Sequence, residues 1–267
     1  MTSAPSGYIH GYSEREIQRL VEQAAILEDI LHSGTRFSPG ELILEAGCGV
    51  GAQTAILRHR HPGARIVSMD FSAGSVAAAV QHADGGDFLV ADVTSPPFKN
   101  ESFDHIFICF VLEHIADPVE ALKGLYPLLK PGGTVTLIEG DHEACVWFPW
   151  SEASATVWRA MIRVQQDLGH DPLIGRRLHS LLSGAGFDVE SCEPRIVYGD
   201  AGAQKLLEGM VNQIIVPMTI TARESALSAG YVEREEWNEG IADLERSGRL
   251  PQGSFFYSFF KAVGRRP

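Results

Sequence analysis

The sequence predicts an α/β fold organised around a parallel sheet, and three observations carry that expectation. The run Leu42-Ile43-Leu44 ends in Glu45 and then in glycines at 47, 49 and 51. Further apolar runs also end in acids, at Asp70 and Asp92, and Leu128-Leu129-Lys130-Pro131-Gly132-Gly133 precedes another run at Thr134 to Ile138. Short apolar runs that alternate with helical patterns suit strands buried on both faces.

The glycine stretch is the most informative element. Without Cβ atoms, Gly47, Gly49 and Gly51 let the backbone turn sharply from a strand into a helix starting near Ala52, and they keep side chains away from a ligand. The Glu-x-Gly-x-Gly-x-Gly spacing differs at its last glycine from the Gly-x-Gly-x-x-Gly of dinucleotide dehydrogenases. A second strand, Ala64 to Met69, delivers Asp70 beside this loop, where a carboxylate can accept both ribose hydroxyls. A third, Phe88 to Ala91, delivers Asp92, and a fourth, His105 to Phe110, leads into Val111-Leu112-Glu113-His114. Lys130 to Gly133 reads as a helix end and turn.

In this order and spacing the blocks between residues 40 and 140 resemble the class I S-adenosylmethionine-dependent methyltransferases, with a weaker likeness to the C-terminus. The branch they resemble is that of small-molecule methyltransferases related to quinone and natural-product biosynthesis. The resemblance implies a Rossmann-like, doubly wound, seven-stranded and mostly parallel sheet with an antiparallel last strand. It implies S-adenosyl-L-methionine as cofactor and S-adenosyl-L-homocysteine as product. Carried over by position, it places Glu45, Gly47 and Gly49 around the methionine portion, Asp70 on the ribose diol and Phe71 against the adenine. Asp92 would accept from the adenine amino group, the Val93 amide would meet a ring nitrogen, and Phe110 would lie beside the methionyl chain.

Composition bounds the remainder. A chain of 267 residues, 45% hydrophobic, suits one elaborated domain. Its net charge of -12 disfavours nucleic acid and anionic lipid, since Arg58, Arg60 and Arg65 are interspersed and Arg176-Arg177 is short. No apolar run has the length of a membrane span and Met1 to Gly7 lacks a leader pattern, so a cytoplasmic protein without membrane contact is expected. Cys48, Cys109, Cys145 and Cys192 form no Cys-x-x-Cys pair, which argues for reduced thiols and against a zinc site.

Residues 1–36 read as an N-terminal arm and helix, and 37–267 as the methyltransferase domain. Ser13-Glu14-Arg15-Glu16 is a capping box, after which Ile17, Leu20, Val21, Ala24, Leu27 and Leu31 share one helix face and Gly34 supplies a stop. The aromatics before it, Tyr8 and Tyr12, can fold over the cofactor cleft, so Tyr12 joins the candidate cofactor residues; the arm could equally serve a neighbouring subunit in a homodimer. Asp117-Pro118-Val119-Glu120 caps a helix expected to run to Lys130 and leaves Glu113 and His114 in the preceding loop as structural supports.

Glu139 to Glu143 is expected as a loop after the fifth strand, and it holds the candidate base. Neutral His142 can take a proton from a hydroxyl, amine or thiol, with Asp141 orienting it or acting itself. Adjacent residues in one loop make no coordination sphere, so no metal is expected. Insertions at about 141–171 and 200–253 read as helical lids, the second with Thr221 capping one of three helices. Trp147, Phe148, Trp150, Tyr198 and Met210 are the candidate lining for an apolar or aromatic small-molecule acceptor. A helix near Leu178 to Leu182, a strand near Phe187 to Val197 and a closing antiparallel strand from Ser254 complete the pattern.

The function expected is methyl transfer to a small metabolite by in-line displacement. Two alternatives are a non-catalytic S-adenosylmethionine-binding protein and a nicotinamide-dependent dehydrogenase. The second requires the other glycine spacing and leaves Leu-Lys-Pro-Gly-Gly unexplained.

Overall fold

A computed structural model describes residues 14–83 and 85–267; Tyr12, the arm around it and the Ser13 cap lie outside the described residues. Seven strands form one sheet in the order β3-β2-β1-β4-β5-β7-β6. They are β1 (Leu42–Ala46), β2 (Arg65–Asp70), β3 (Asp87–Val90), β4 (Phe103–Cys109), β5 (Leu129–Phe148), β6 (Asp188–Gly199) and β7 (Ser254–Arg265). Six run parallel and the last is antiparallel, inserted between β5 and β6 as expected. The order reverses between β1 and β4, which opens a crevice at their carboxyl ends.

Local chemistry explains the helices around the sheet. Gly51, at φ +81°, turns the chain into α2 (Ala52–Arg60), and the Ser72 hydroxyl accepts from Ser75 N to cap α3 (Ala73–His82). Asp117 caps α4 (Pro118–Leu125) through Glu120 N, with proline at the first position. This helix stops at Leu125 instead of reaching Lys130, because a tight turn, Tyr126–Leu128, feeds directly into β5. Leu44, Ile106, Ile108, Val135 and Leu137 from the strands form one core with Leu122, Leu125, Leu178 and Leu182 from α4 and α6 (Leu178–Gly184).

The chain divides into two compact units. The sheet unit comprises residues 27–144, 170–197 and 257–267, and the helical unit takes 145–169, 198–256 and, of the described N-terminal residues, 14–26. The described N-terminal helix, α1 (Glu14–His32), therefore contributes to both. Its last turn is held within the sheet unit by buried Lys261, which donates to the Leu31 and Ser33 carbonyls and the Thr35 hydroxyl.

In the helical unit, α5 (Glu152–Asp167) starts at a Ser151/Ser154 capping box and packs on α10 (Arg234–Ser247). Gly240 permits that approach: a Cβ there would lie 2.4 Å from the Ala153 carbonyl oxygen. Between them in sequence lie α7 (Gln204–Glu208), a π-helical stretch (Gly209–Ile215), α8 (Val216–Thr221) and α9 (Arg223–Ser228). Thr221 caps nothing, since it ends α8 and donates to the Met218 carbonyl.

The expected loop at Glu139 to Glu143 is instead the interior of β5, which continues to Phe148. The partnership with β4 ends at Cys109 and Ile138, while β7 flanks β5 on the other side. No described helix is long and apolar enough to cross a membrane.

Candidate cofactor and proton-transfer site

The turn after β1 is built by backbone bonds and two buried acids. Gly47 N and Cys48 N both donate to the Met69 carbonyl, which ties the turn to the end of β2. Gly47 has φ +84°, and a Cβ there would fall 2.4 Å from Val111, so this position admits only glycine. Gly49 has φ +52° with open space where a side chain would stand. Its N–H donates to Asp70 Oδ2 at 2.9 Å, and Ser72 N donates to Oδ1 at 2.9 Å.

Glu45 is 2% exposed, and the hydroxyls of Thr54 and Ser68 donate to its Oε2 at 2.5 and 2.6 Å. Burial, with a smaller push from Asp70, raises its carboxyl to about 7. Burial also raises Asp70, against the pull of its backbone donors and, last, of His114. His114 is itself held near 4 by burial, so it supplies little positive charge at neutral pH. Two buried acids with no lysine or arginine among the described groups that perturb them fit a cationic ligand. An S-adenosylmethionine, with its ammonium and sulfonium centres, meets that requirement.

Other expected cofactor residues fall around the same sheet edge. Phe71 follows Asp70 and is 66% exposed, open to stack on a ligand. Asp92 is exposed, with Oδ1 taken by the Thr94 amide and hydroxyl at 2.8 Å each, and Val93 is buried behind it. Phe110 adopts φ +58°, a conformation rare outside glycine, and its ring lies 5.4 Å from that of Phe259.

Along β5, alternation sends successive side chains to opposite faces. His142 is buried, and its Nδ1 pairs with the Tyr257 hydroxyl of β7 at 2.6 Å. Burial lowers its basicity, a shift opposed by Glu113 and Asp141, so the ring is neutral at physiological pH. Asp141 and His142 are neighbours on β5 and point to opposite faces. The Asp141 carboxylate is gripped from both sides by Arg176, Nε to Oδ2 at 2.6 Å and Nη2 to Oδ1 at 2.7 Å, and Arg176 also donates to Glu143. Tyr257, 115 positions away in sequence, holds the His142 ring at Nδ1.

Glu139, fully buried, was legible only as one acid of that cluster. Its Oε1 accepts from Val111 N at 3.0 Å and Leu112 N at 2.8 Å, spanning from β5 to the turn after β4. Glu113 and His114 sit on that turn, with Glu113 O accepting from Asp171 N and the His114 ring 4.7 Å from His170. Among the described residues no group of three histidines, cysteines or acids is placed to hold a metal ion.

The expected acceptor residues separate. Trp147 and Met210 are core residues of the helical unit, 5% and 1% exposed; Trp147 Nε1 donates to Ser154 and its ring meets Trp158 edge-on. Phe148, Trp150 and Tyr198 are each more than half exposed.

A sheet that reverses at β1/β4, with a glycine turn and two buried acids at the reversal, defines an α/β protein that binds a nucleotide-like cofactor. Residues 44–137 match the methyltransferase domain family. Trans-aconitate 2-methyltransferase of Escherichia fergusonii is 30% identical over 190 residues, 70% of this chain and 68% of that enzyme. Demethylmenaquinone methyltransferase of Clavibacter sepedonicus is 37% identical over 103 residues, 38% of this chain and 41% of that one. The chain spans 60% of the length of another curated relative. In fold it resembles Haemonchus contortus phosphoethanolamine N-methyltransferase 2, solved with phosphomonomethylethanolamine and S-adenosylhomocysteine (TM-score 0.56, 15% identity, 96% of this chain and 61% of that one). The chain belongs to the class I S-adenosylmethionine-dependent methyltransferases, and S-adenosylmethionine is its cofactor.

Proposed function

We propose that this enzyme transfers the methyl group to a small metabolite by in-line displacement. The observation that carries the reading is the pair of buried acids, Glu45 and Asp70, on a glycine turn. In this reading Glu45 faces the cationic methionine portion and Asp70 takes the ribose hydroxyls. Phe71 covers the adenine, Asp92 and Val93 read its edge, and Phe110 lies along the methionyl chain. The bound cofactor supplies an activated methyl on sulfur.

The chain's own contribution is to hold the acceptor in line and away from water, an effect worth up to about 7–11 kcal/mol when alignment is good. Where the acceptor must lose a proton, neutral His142 receives it, its ring fixed by Tyr257. Exposed Phe148, Trp150 and Tyr198 are assigned to acceptor selection and suit an apolar or aromatic partner. A relative named for trans-aconitate supports the small-molecule class and adds organic acids to the acceptors worth testing.

The test is incubation with methyl-labelled S-adenosylmethionine and panels of quinols, phenols and small organic acids, followed by mass spectrometry. Transfer of label to one panel establishes the activity and its acceptor class. Tight cofactor binding with no transfer to any panel would favour a non-catalytic cofactor-binding protein.

A further inference from the structure

The turn from Phe110 to His114 carries two features that local sequence does not pay back: a phenylalanine at φ +58°, and backbone N–H groups at a tight helical turn with no partner within it. Both features meet β5: Phe110 N donates to the Ile138 carbonyl at 2.9 Å, and Glu139 takes the two amides that follow. Glu139 is 0% exposed and its Oε1 accepts from two consecutive amides, those of Val111 and Leu112. Its second oxygen is buried, and the Glu113 backbone amide also favours the charged form of the carboxyl. Charged or neutral, a fully buried carboxyl is a costly group for joining two amides, and no other described side chain is shown bonding to them.

The same turn presses on the glycine loop. Val111, whose amide Glu139 holds, is the residue whose side chain occupies the space beside Gly47, at 2.4 Å from where a Cβ would be. The order of contact is therefore Glu139 to the Val111 and Leu112 amides, and Val111 to Gly47. Movement of the turn would shift Phe110 and release the wall behind the glycine loop together.

We infer that Glu139 is a positioning residue for the cofactor: by holding the Val111 and Leu112 amides it fixes Phe110 and seats Val111 against Gly47. The inference rests on the cofactor assignment above, and it uses the acceptor capacity of Oε1 only. Glutamine keeps that capacity at the same length, and alanine does not.

The test uses the full chain, S-adenosylhomocysteine as the probe, titration calorimetry, and amide hydrogen exchange read at Val111 and Leu112. In wild type without ligand these two amides are expected to be protected. Glu139→Ala should lose at least about tenfold in affinity for the probe and deprotect both amides, while Glu139→Gln should stay within about threefold of wild type and keep them protected. Free exchange of both amides in the unliganded wild type overturns the inference, and this measurement needs no variant to fold. So does wild-type affinity in Glu139→Ala, or a Glu139→Gln protein, native by circular dichroism, that binds as weakly as the alanine variant. Failure of the wild type itself to bind the probe would instead overturn the cofactor assignment.

Discussion

Single residues in the site are tuned by burial more than by partners. Glu45 shows the sign of the effect. Its carboxyl is raised from 4.5 to about 7 in the fold, so the folded state holds its proton more tightly than the unfolded chain does. Its contribution is most favourable below pH 4.5 and is lost as pH rises through 7. At about 1.4 kcal/mol per unit this amounts to about 3 kcal/mol across the window. Glu45→Gln should therefore flatten the fall in urea midpoint between pH 5 and 8, and an unchanged slope would show that the charge is not buried as described. Asp70→Ala should weaken cofactor binding by about ten- to a hundredfold, since a charged hydrogen bond contributes about 1.5–3 kcal/mol; calorimetry reads it directly. His142→Ala should lower turnover by about 100- to 10,000-fold at near-constant cofactor affinity, and unchanged turnover with the true acceptor would remove it as the base.

At the scale of elements, close approaches decide which substitutions matter. Gly51 starts α2 at φ +81°, and a Cβ there would sit 3.0 Å from Ala79 of α3. Gly51→Ala should cost about 1–3 kcal/mol from backbone strain and displaced packing, seen as a lower melting temperature. Several elements were legible because their signals are local. The Asp117-Pro118 start of α4 needs only its own next turn, and the acid at the end of β2 needs only the apolar run before it. β5 was misread between Glu139 and Glu143 because four ionisable residues and a glycine resemble a loop. They form a strand because their partners arrive from elsewhere: Val111 and Leu112 for Glu139, Arg176 for Asp141 and Tyr257 for His142. Trp147 and Met210 show the converse: both are buried, whereas Phe148, Trp150 and Tyr198 are exposed. Aromatic and methionine side chains suit a ligand wall and a core equally, and only burial separates them.

For the whole molecule, the division into a sheet unit and a helical unit predicts where a bound cofactor is felt. Hydrogen exchange with S-adenosylhomocysteine should show added protection at 45–51, 70–72, 92–93 and 110–113, all in the sheet unit. The interior of α10 should change little; protection concentrated there would relocate the cofactor. The net charge of -12 also predicts no retention on immobilised DNA at physiological salt.

By itself the sequence determined the cofactor. Glycine spacing, strand-terminal acids and the Leu-Lys-Pro-Gly-Gly turn each act through neighbouring backbone, so their chemistry is written in contiguous residues. Tertiary structure alone decided how the site is braced. Glu139 meets the turn after β4 across 27 and 28 positions, and His142 meets Tyr257 across 115, pairings that exist only once the strands are ordered side by side.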